Sequence, residues 1–376
     1  MKLLLSPDSY KGSLTAKEVA ENMEIGIKSI LPNAHIIKLP IADGGEGTVE
    51  ILINANNGML HRTCVTGPIN DSIPVTFGTF NNNKTAVIEV AESSGLTKVP
   101  LEKRNPWETT SYGTGEIIKY ALNMGCTEII IGLGGSATND GGIGMAQALG
   151  VKFYDKCGEE IGRGGKELLN INKIDVSGLD SRINECKIII ASDVSNVLCG
   201  KQGASAIFGP QKGATPKVVE KLDKGLENLG QQIHKEFKKD IMNIPGAGAA
   251  GGLGAGILAF LSGEMKKGID VIFEYTDIEK EVIATDYVIT GEGFTDKQTL
   301  YGKAPYGVML LAKKHNKPLI CISGGVSTEV EELYKAGMDV ILSAMQAPMS
   351  LNKAMEFADE NIQQTTVSLI RTLIIK

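Results

Sequence analysis

Five apolar runs of the sequence are each followed by a loop that combines glycine with hydroxyl and acidic side chains. The loops are "SPDSYKGS" (6–13), "PIADGGEGT" (40–48), "GLGGSATNDGG" (132–142), "ASDVSNVLCGKQGASAIFGPQKGA" (191–214) and "TGEGFTDKQTLYGKAP" (290–305). Glycine lets backbone N–H groups approach and surround an anion, and hydroxyl groups add donors with little bulk. Carboxylates beside a phosphate are unfavourable unless Mg²⁺, which takes oxygen ligands, lies between them. Such a combination is typical of phosphoryl transfer.

The loop at 132–142 is the strongest candidate for binding nucleotide phosphates, because it follows the apolar run 128–131 and is the densest in small residues. The predicted nucleotide-binding residues are Gly134, Gly135, Ser136, Ala137, Thr138 and Asn139. No Walker A pattern is present, since Gly302-Lys303-Ala304 lacks both the upstream glycine and the following Ser or Thr. ATP, if it binds, must therefore use another kind of loop.

The same loop also fits a dinucleotide fingerprint, GxGxxA, at Gly132, Gly134 and Ala137, with Asp155 at a suitable distance. That fingerprint requires a helix to begin directly beneath the pyrophosphate. Here Gly141 and its neighbours extend the loop instead. An NAD(P)-dependent oxidoreductase of a small hydroxy acid therefore stays open as an alternative, together with a non-catalytic sensor of a sugar acid or nucleotide.

Bulk properties exclude several classes of protein. A length of 376 residues suits two domains, and a net charge of −6 argues against a nucleic-acid binder. The sequence has neither an 18-residue apolar stretch nor a signal-peptide pattern after Met1. Its six cysteines and four histidines are dispersed, without the spacing of a zinc site or a disulfide framework. We expect a cytoplasmic enzyme that acts on small molecules and has neither nucleic-acid nor membrane partners. A homodimer is a possible assembly.

The order of apolar runs predicts the fold. The sequence predicts strands at Leu3–Leu5 and His35–Leu39 with a capped helix between them, and the alternation of strands and helices returns from Tyr287 onward. Between these parts, Thr/Val-rich runs after residue 61 predict antiparallel hairpins. The predicted class is α/β. A doubly wound, mostly parallel Rossmann-like or flavodoxin-like domain (1–60 and 265–376) carries an inserted mixed α/β domain (61–264), with the active site in the cleft between them. Further predictions are a hairpin near 151–161, a helix over 210–242 and a closing helix over 354–374.

Six segments together resemble the bacterial glycerate kinases of the glycerate kinase type-1 family, in the same order and across the whole chain. They are "SPDSYKGSLTA", "ADGGEGT", "GLGGSATNDGG", "ASDVSN…FGPQKGA", "GAGAAGGLGAG" and "TGEGFTDKQTLYGKAP". The resemblance implies a two-domain α/β enzyme that uses ATP and Mg²⁺ to phosphorylate D-glycerate, with 2-phosphoglycerate favoured over 3-phosphoglycerate as the product. The sequence departs from the family motif at Phe294, where arginine is more usual. If that arginine contacts a phosphate, the contact is missing here or comes from another residue.

Site roles follow from this resemblance and from the positions of the acids at predicted strand ends. The predicted substrate-binding residues are Asp8, Ser9, Lys11, Asp43, Gly44 and Gly45, and the predicted metal ligands are Glu292 and Asp296. Because an alcohol needs a carboxylate to accept its proton, we choose Asp193 as the base, which domain closure would deliver to the substrate. Asp43 would orient substrate or metal, and Lys11 would neutralise the glycerate carboxylate. Each aspartate has a plainer alternative role, since aspartates also cap helices and turns.

Overall fold

The computed structural model describes residues 1–42 and 44–375. The chain divides into two compact units: the first is Met1–Asp43 with Ile269–Lys376, and the second is Gly44–Gly268. The fold is mixed α/β with mostly parallel sheets.

The strands of the described residues are β1 (Lys2–Leu5), β2 (His35–Lys38), β3 (Met59–Thr66), β4 (Ser72–Phe80), β5 (Thr85–Glu89), β6 (Glu128–Gly132), β7 (Lys152–Tyr154), β8 (Lys173–Asp175), β9 (Lys187–Ala191), β10 (Glu264–Lys266), β11 (Tyr287–Thr290), β12 (Phe294–Thr295), β13 (Leu319–Ser323), β14 (Gly325–Val326) and β15 (Val340–Ser343).

The α-helices are α1 (Ala16–Ile30), α2 (Thr48–Ala55), α3 (Val90–Ser94), α4 (Tyr112–Asn123), α5 (Ile143–Ala148), α6 (Ala204–Phe208), α7 (Pro216–Phe237), α8 (Ala249–Phe260), α9 (Gly268–Glu274), α10 (Ile278–Ala284), α11 (Ala304–Lys314), α12 (Glu331–Ala336), α13 (Leu351–Glu356) and α14 (Ala358–Leu373). Short 3-10 helices lie at Leu96–Lys98, Leu101–Lys103, Gly165–Asn170, Ser181–Glu185, Pro210–Lys212 and Lys297–Tyr301.

The first unit is a five-stranded sheet in the order β15-β13-β11-β1-β2, with every neighbouring pair parallel. Counted within this unit, the order is 2-1-3-4-5, which is the flavodoxin-like arrangement and confirms the predicted class. Its strand order reverses between β1 and β11, and ligands of open α/β sheets bind outside the carboxyl ends of the strands at such a point. The loops 6–13 and 291–303 follow those two strands.

Helix α1 forms where the sequence predicts it. Thr15 accepts a hydrogen bond from the N–H of Glu18, and the Glu18 carboxylate accepts in return from the N–H of Thr15, which completes a capping box. Val19, Met23 and Ile27 recur at a spacing of four residues and are fully buried in the core of the first unit. This capped helix fixes the crossover from β1 to β2 and with it the position of the loop after β1.

The second unit has a six-stranded sheet in the order β10-β9-β6-β5-β4-β3. The strands from β10 to β5 pair in parallel, and β3 and β4 form the antiparallel hairpin that the Thr/Val-rich runs predict. The hairpin predicted near 151–161 is present but short, and β7 has a further partner outside it. Strand β7 pairs with β8, and a single bridge joins Tyr154 to Glu160, because Asp155 accepts hydrogen bonds from two later N–H groups and tightens the turn.

The N-terminal segment of the first unit ends before residue 44, earlier than the boundary predicted near residue 60. Helix α2 belongs to the second unit because it packs on β4 and β5, where the Ile53 side chain occupies the space that a Cβ on Gly78 would need. The N–H of Val49, in the first turn of α2, also donates to the Glu89 carboxylate at the end of β5, at 2.8 Å. The sequence shows the apolar face of α2 but not which sheet covers it.

Close backbone contact at Gly251 leads to a stability prediction. Gly251 has a φ of +69°, and a Cβ there would overlap the carbonyl oxygen of Thr138. Gly158 has a φ of +82° but nothing within 4 Å of its Cβ position, so it is a matched control for backbone strain alone. We expect Gly158→Ala to lower the free energy of unfolding by about 1 kcal/mol and Gly251→Ala by about 3 kcal/mol, because the second adds steric overlap to the same strain. Urea denaturation measures both, and equal losses would contradict the close contact.

Candidate active site

A pocket lies at the carboxyl edge of the first sheet, where the strand order reverses. Asp8, Ser9 and Lys11 line it from the loop after β1, and Glu292 lines it from the loop after β11. Asp8 is buried and Lys11 is exposed. The structure therefore brings together three of the predicted substrate-binding residues and one predicted metal ligand. Asp43 lies outside the described residues.

The Glu292 carboxylate in this pocket is held by protein groups. Its Oε1 accepts hydrogen bonds from the hydroxyls of Thr295, at 3.0 Å, and Thr299, at 2.6 Å. Its Oε2 lies 3.1 Å from the Lys303 Nζ. A buried carboxylate engaged in this way has little capacity left for a metal ion. Glu292 instead fixes Lys303 at the edge of the pocket.

Asp296, the other predicted metal ligand, does not line the pocket. Its Oδ1 accepts a hydrogen bond from the N–H of Gln298 at 2.8 Å and lies 3.7 Å from the Lys303 Nζ. Within residues 1–42 and 44–375, no group of three His, Cys, Asp or Glu side chains could hold a metal ion. Glu292 and Asp296 do not fit a protein-held Mg²⁺ site, because the Lys303 ammonium group lies close to both and occupies the place of a cation between them. Mg²⁺ often binds through substrate phosphates and water with few protein ligands, as in nucleotide complexes.

In the second unit, the glycine loop after β6 has an accessible tip above a buried lysine. Gly135 is exposed, Gly134 is half-buried, and Ser136 is 7% exposed. Lys212 is 2% exposed, and its Nζ donates to the Ser136 Oγ and the Thr138 carbonyl oxygen, both at 2.8 Å. An ammonium group beside glycine N–H groups and a serine hydroxyl is suited to binding an anion.

Burial controls the charge on this lysine. It lowers the pKa of Lys212 to about 7, and the nearby Asp140 carboxylate partly opposes that effect. Asp140 is itself fully buried and accepts hydrogen bonds from the N–H and Oγ of Ser111, at 2.7 and 2.9 Å, and from the N–H of Gly142 at 3.1 Å. An anion arriving at Ser136 would raise the pKa of Lys212 and favour its charged form.

The inner half of the loop does not support direct nucleotide contacts in this conformation. Ala137 is 2% exposed, and Thr138 and Asn139 are fully buried, so the binding of nucleotide by these three residues stays a prediction that this conformation does not favour. The reason is that the chain turns inward after Ser136, where the N–H of Ala137 donates to the Ser94 carbonyl and the Asn139 Nδ2 donates to the Ser205 Oγ. These residues shape the loop, and the accessible part is its tip.

Other predicted residues lie beside this tip. A Cβ on Gly134 would be 2.6 Å from the Cα of Gly45, and one on Gly44 would be 2.8 Å from the carbonyl oxygen of Ala191. Asp193 lies two residues after Ala191 in the sequence. It is half-buried and accepts a hydrogen bond from the N–H of Gly268 at 3.2 Å. Gly44, Gly45, the loop tip and Asp193 therefore meet at the carboxyl edge of the second sheet, whereas Asp8, Ser9 and Lys11 belong to the first unit.

Sequence reasoning missed three charged residues, Glu89, Lys212 and Lys303. Glu89 ends β5 in register with Gly132, and burial raises its pKa to about 7, with Glu92 and Glu46 adding to the shift. A single carboxylate inside the apolar run "TAVIEVA" was the available signal. Lys212 and Lys303 lie in glycine loops that the sequence did identify, but nothing in the sequence distinguishes them from solvated lysines.

Comparison with known proteins decides the family. The sequence model of the "Glycerate kinase family" matches residues 3–374. The chain belongs to the glycerate kinase family. The chain is 47% identical to the "Glycerate 2-kinase" of Escherichia coli K12 over 375 residues, covering 100% of this chain and 98% of that protein. It is also 47% identical to a glycerate kinase of Bacillus subtilis 168, with coverages of 97% and 96%.

A solved structure agrees with this assignment. The crystal structure described as that of a glycerate kinase 2 from Salmonella typhimurium LT2 has a TM-score of 0.88 at 44% identity, covering 99% of this chain and 98% of that one. As a member of the glycerate kinase family, the protein transfers a phosphoryl group to glycerate, and ATP is the donor.

The oxidoreductase alternative fails on the geometry of its fingerprint as well. Helix α5 begins only at Ile143 and has six residues, after Gly141 and Gly142 adopt φ values of +62° and +77°. A dinucleotide site needs a longer helix directly after the first glycines.

Among residues 1–42 and 44–375, none of the helices has the length and hydrophobicity needed to span a bilayer.

The buried amine of this glycerate kinase predicts a pH-dependent stability. Between about pH 7, where the folded Lys212 titrates, and its ordinary pKa of 10.5, the unfolded chain holds a proton that the folded chain lacks. The free energy of unfolding of the wild type should therefore rise with pH in this range. Its slope should exceed that of Lys212→Met by up to about 1.4 kcal/mol per pH unit. Denaturation series from pH 7 to 10 measure the slopes, with Lys201→Met as an exposed-lysine control. Parallel profiles for wild type and Lys212→Met would disprove the buried amine.

Proposed function

We propose that the protein phosphorylates the 2-hydroxyl of D-glycerate and that ATP enters as its Mg²⁺ complex. The observation that carries the choice of hydroxyl is the full-length identity of 47% to the relative named "Glycerate 2-kinase". A nucleotide-borne Mg²⁺ is consistent with Glu292 and Asp296 of the first unit, which form ion pairs with Lys303. The reaction is proposed to take place in the cytoplasm, in keeping with six free cysteines.

The transferred phosphoryl group is proposed to bind at the loop tip of the second unit. Gly134 and Gly135 present backbone at the accessible end of the loop, Ser136 supplies a hydroxyl, and Lys212 supplies the charge 2.8 Å behind that hydroxyl. Phosphoryl transfer depends mainly on positioning and on electrostatic stabilisation of equatorial oxygens. A preformed group of donors in a buried setting provides both without reorganisation.

Asp193 is proposed as the group that accepts the proton of the glycerate hydroxyl. It lies at the same strand edge as the loop tip, and it is half-buried, so a ligand can reach it. Gly44 and Gly45, which touch that edge through backbone alone, are proposed to bind the acid substrate beside it. Glu89 is nearby but accepts the N–H of Val49, which assigns it to capping α2.

The first test concerns the product. Incubation with ATP, Mg²⁺ and D-glycerate should give 2-phosphoglycerate, identified by the coupling of phosphorus to the C2 proton in a phosphorus NMR spectrum. The same experiment with L-glycerate is the control for stereochemistry. A spectrum of 3-phosphoglycerate would reject the regiochemistry but keep the kinase assignment, and ADP release that does not depend on glycerate would reject both.

The second test separates the two carboxylates at this edge. Asp193→Asn should lower kcat by about 10²- to 10⁴-fold with little change in the KM for ATP, because a general base contributes to the chemical step. Glu89→Gln neutralises the matched carboxylate and should leave kcat within about fivefold, since a neutral side chain can still cap α2. Steady-state kinetics at saturating ATP measure both. The reverse ranking of the two variants would transfer the role of base to Glu89.

A further inference from the structure

The pocket of the first unit is larger than the acid substrate requires. Its volume is about 640 Å³, within the range of about 300–1,000 Å³ that is typical of sites for ligands the size of a drug or nucleotide. A three-carbon acid would fill only a small part of it. The assignment of Asp8, Ser9 and Lys11 to glycerate leaves most of this volume without an occupant.

The walls of the pocket differ in chemistry. One wall is apolar and consists of Met345, Met349 and Met355 with Leu351, from the segment that precedes and forms α13. This segment is fixed to the loop after β1, because the Ser13 Oγ donates to the Met355 carbonyl oxygen at 2.8 Å. Methionine side chains adapt to flat aromatic ligands through their flexible, polarizable thioethers. The wall suits a broad apolar group.

The part of the lining at the sheet edge is charged, and it carries both signs, because Asp8 and Glu292 lie there together with the lysines. Lys11 and Lys303 both line the pocket, and Glu292 holds the Lys303 Nζ at 3.1 Å. The polar side lies at the ends of β1 and β11, where the strand order reverses and where open α/β sheets bind their nucleotides. A ligand with an apolar body and a charged end, such as a nucleotide with its Mg²⁺, matches this pair of surfaces.

Phe294 adds an aromatic surface to the pocket. It is 54% exposed although it is a large apolar residue. Its ring lies against Gly325, where a Cβ would be 2.9 Å from the Phe294 Cδ2, so the backbone supports one part of the ring while the rest stays accessible. An exposed ring that is held in place offers a stacking surface to a heterocyclic base.

From these observations we propose that the pocket of the first unit binds the adenosine part of ATP. The base lies against Phe294 and the methionine wall, and Lys11 and Lys303 face the polyphosphate. This inference rests on the use of ATP as the phosphoryl donor. It moves Asp8, Ser9 and Lys11 from the acid substrate to the nucleotide.

Binding measurements on the full-length protein test the role of Phe294. Phe294→Ala should weaken ADP binding about tenfold or more in calorimetry, since stacking of a base on an aromatic ring contributes about 1–3 kcal/mol. Phe294→Trp should retain the affinity, and the KM for glycerate should change less than twofold in both variants. Tyr334→Ala is the matched control, because Tyr334 is 41% exposed on α12 and does not line the pocket. An unchanged ADP affinity in Phe294→Ala, with a raised KM for glycerate, would return the pocket to the acid substrate.

Photolabelling locates the base without any substitution. Irradiation with 8-azido-ATP, followed by peptide mass spectrometry, should place the label within residues 292–294 or 344–361, and excess ATP should prevent it. Label confined to residues 132–142 would overturn the proposal. Glycerate-dependent ADP release is measured on the same preparation. If that activity is present and the label lies elsewhere, the nucleotide-site proposal fails while the kinase function stands; if ADP release is absent, the proposed function fails independently.

Discussion

Backbone segments in the second unit approach one another more closely than side chains would allow, and the phosphate loop depends on that contact. A Cβ on Gly132 would lie 2.6 Å from the carbonyl oxygen of Gly44, and one on Gly256 would lie 2.7 Å from that of Gly141. The residues 44–45, 132–142 and 246–256 thus pack through their main chains. Glycine is required here for space, which explains its high count of 45 better than a need for flexibility does.

That packing makes the electrostatics of the loop possible. Gly251 lies directly on Thr138, and Lys212 and Asp140 are both buried beneath the loop. In such a setting each charge is expensive alone, so the lysine has a lowered pKa and the aspartate a raised one. An anion at the exposed tip would be stabilised strongly for the same reason. The strength of the proposed phosphate site thus follows from tight main-chain packing several residues away from it.

The sequence predicts the first unit well because its signals are local. The capping box at Thr15, the apolar run of β1 and the polar loop that follows it are each visible within a few residues, and the carboxyl edge follows from the parallel order. Long-range pairing is less visible. The pairing of β7 with β8 was missed because β8 lies beyond a 3-10 helix, and the small pair β12–β14 shows no pattern of its own. The buried state of Thr138 also depends on Gly251, more than a hundred residues away.

The two units show why glycine-rich motifs alone misassign ligands. Polar motifs mark where a chain exposes donors and charges, and both units carry such motifs at their sheet edges. The volume that a nucleoside needs is created in the first unit by Met345, Met349 and Met355, which belong to a segment without any glycine or charge pattern that would draw attention to it. The loop at 132–142 is rich in the residues that bind phosphate, yet its inner half is filled by the protein itself. A nucleotide has both a polar and an apolar part, and only the polar part leaves a short motif in the sequence. The base is therefore recognised by tertiary packing, which explains why the sequence pointed to the phosphate loop and gave no residue for adenine.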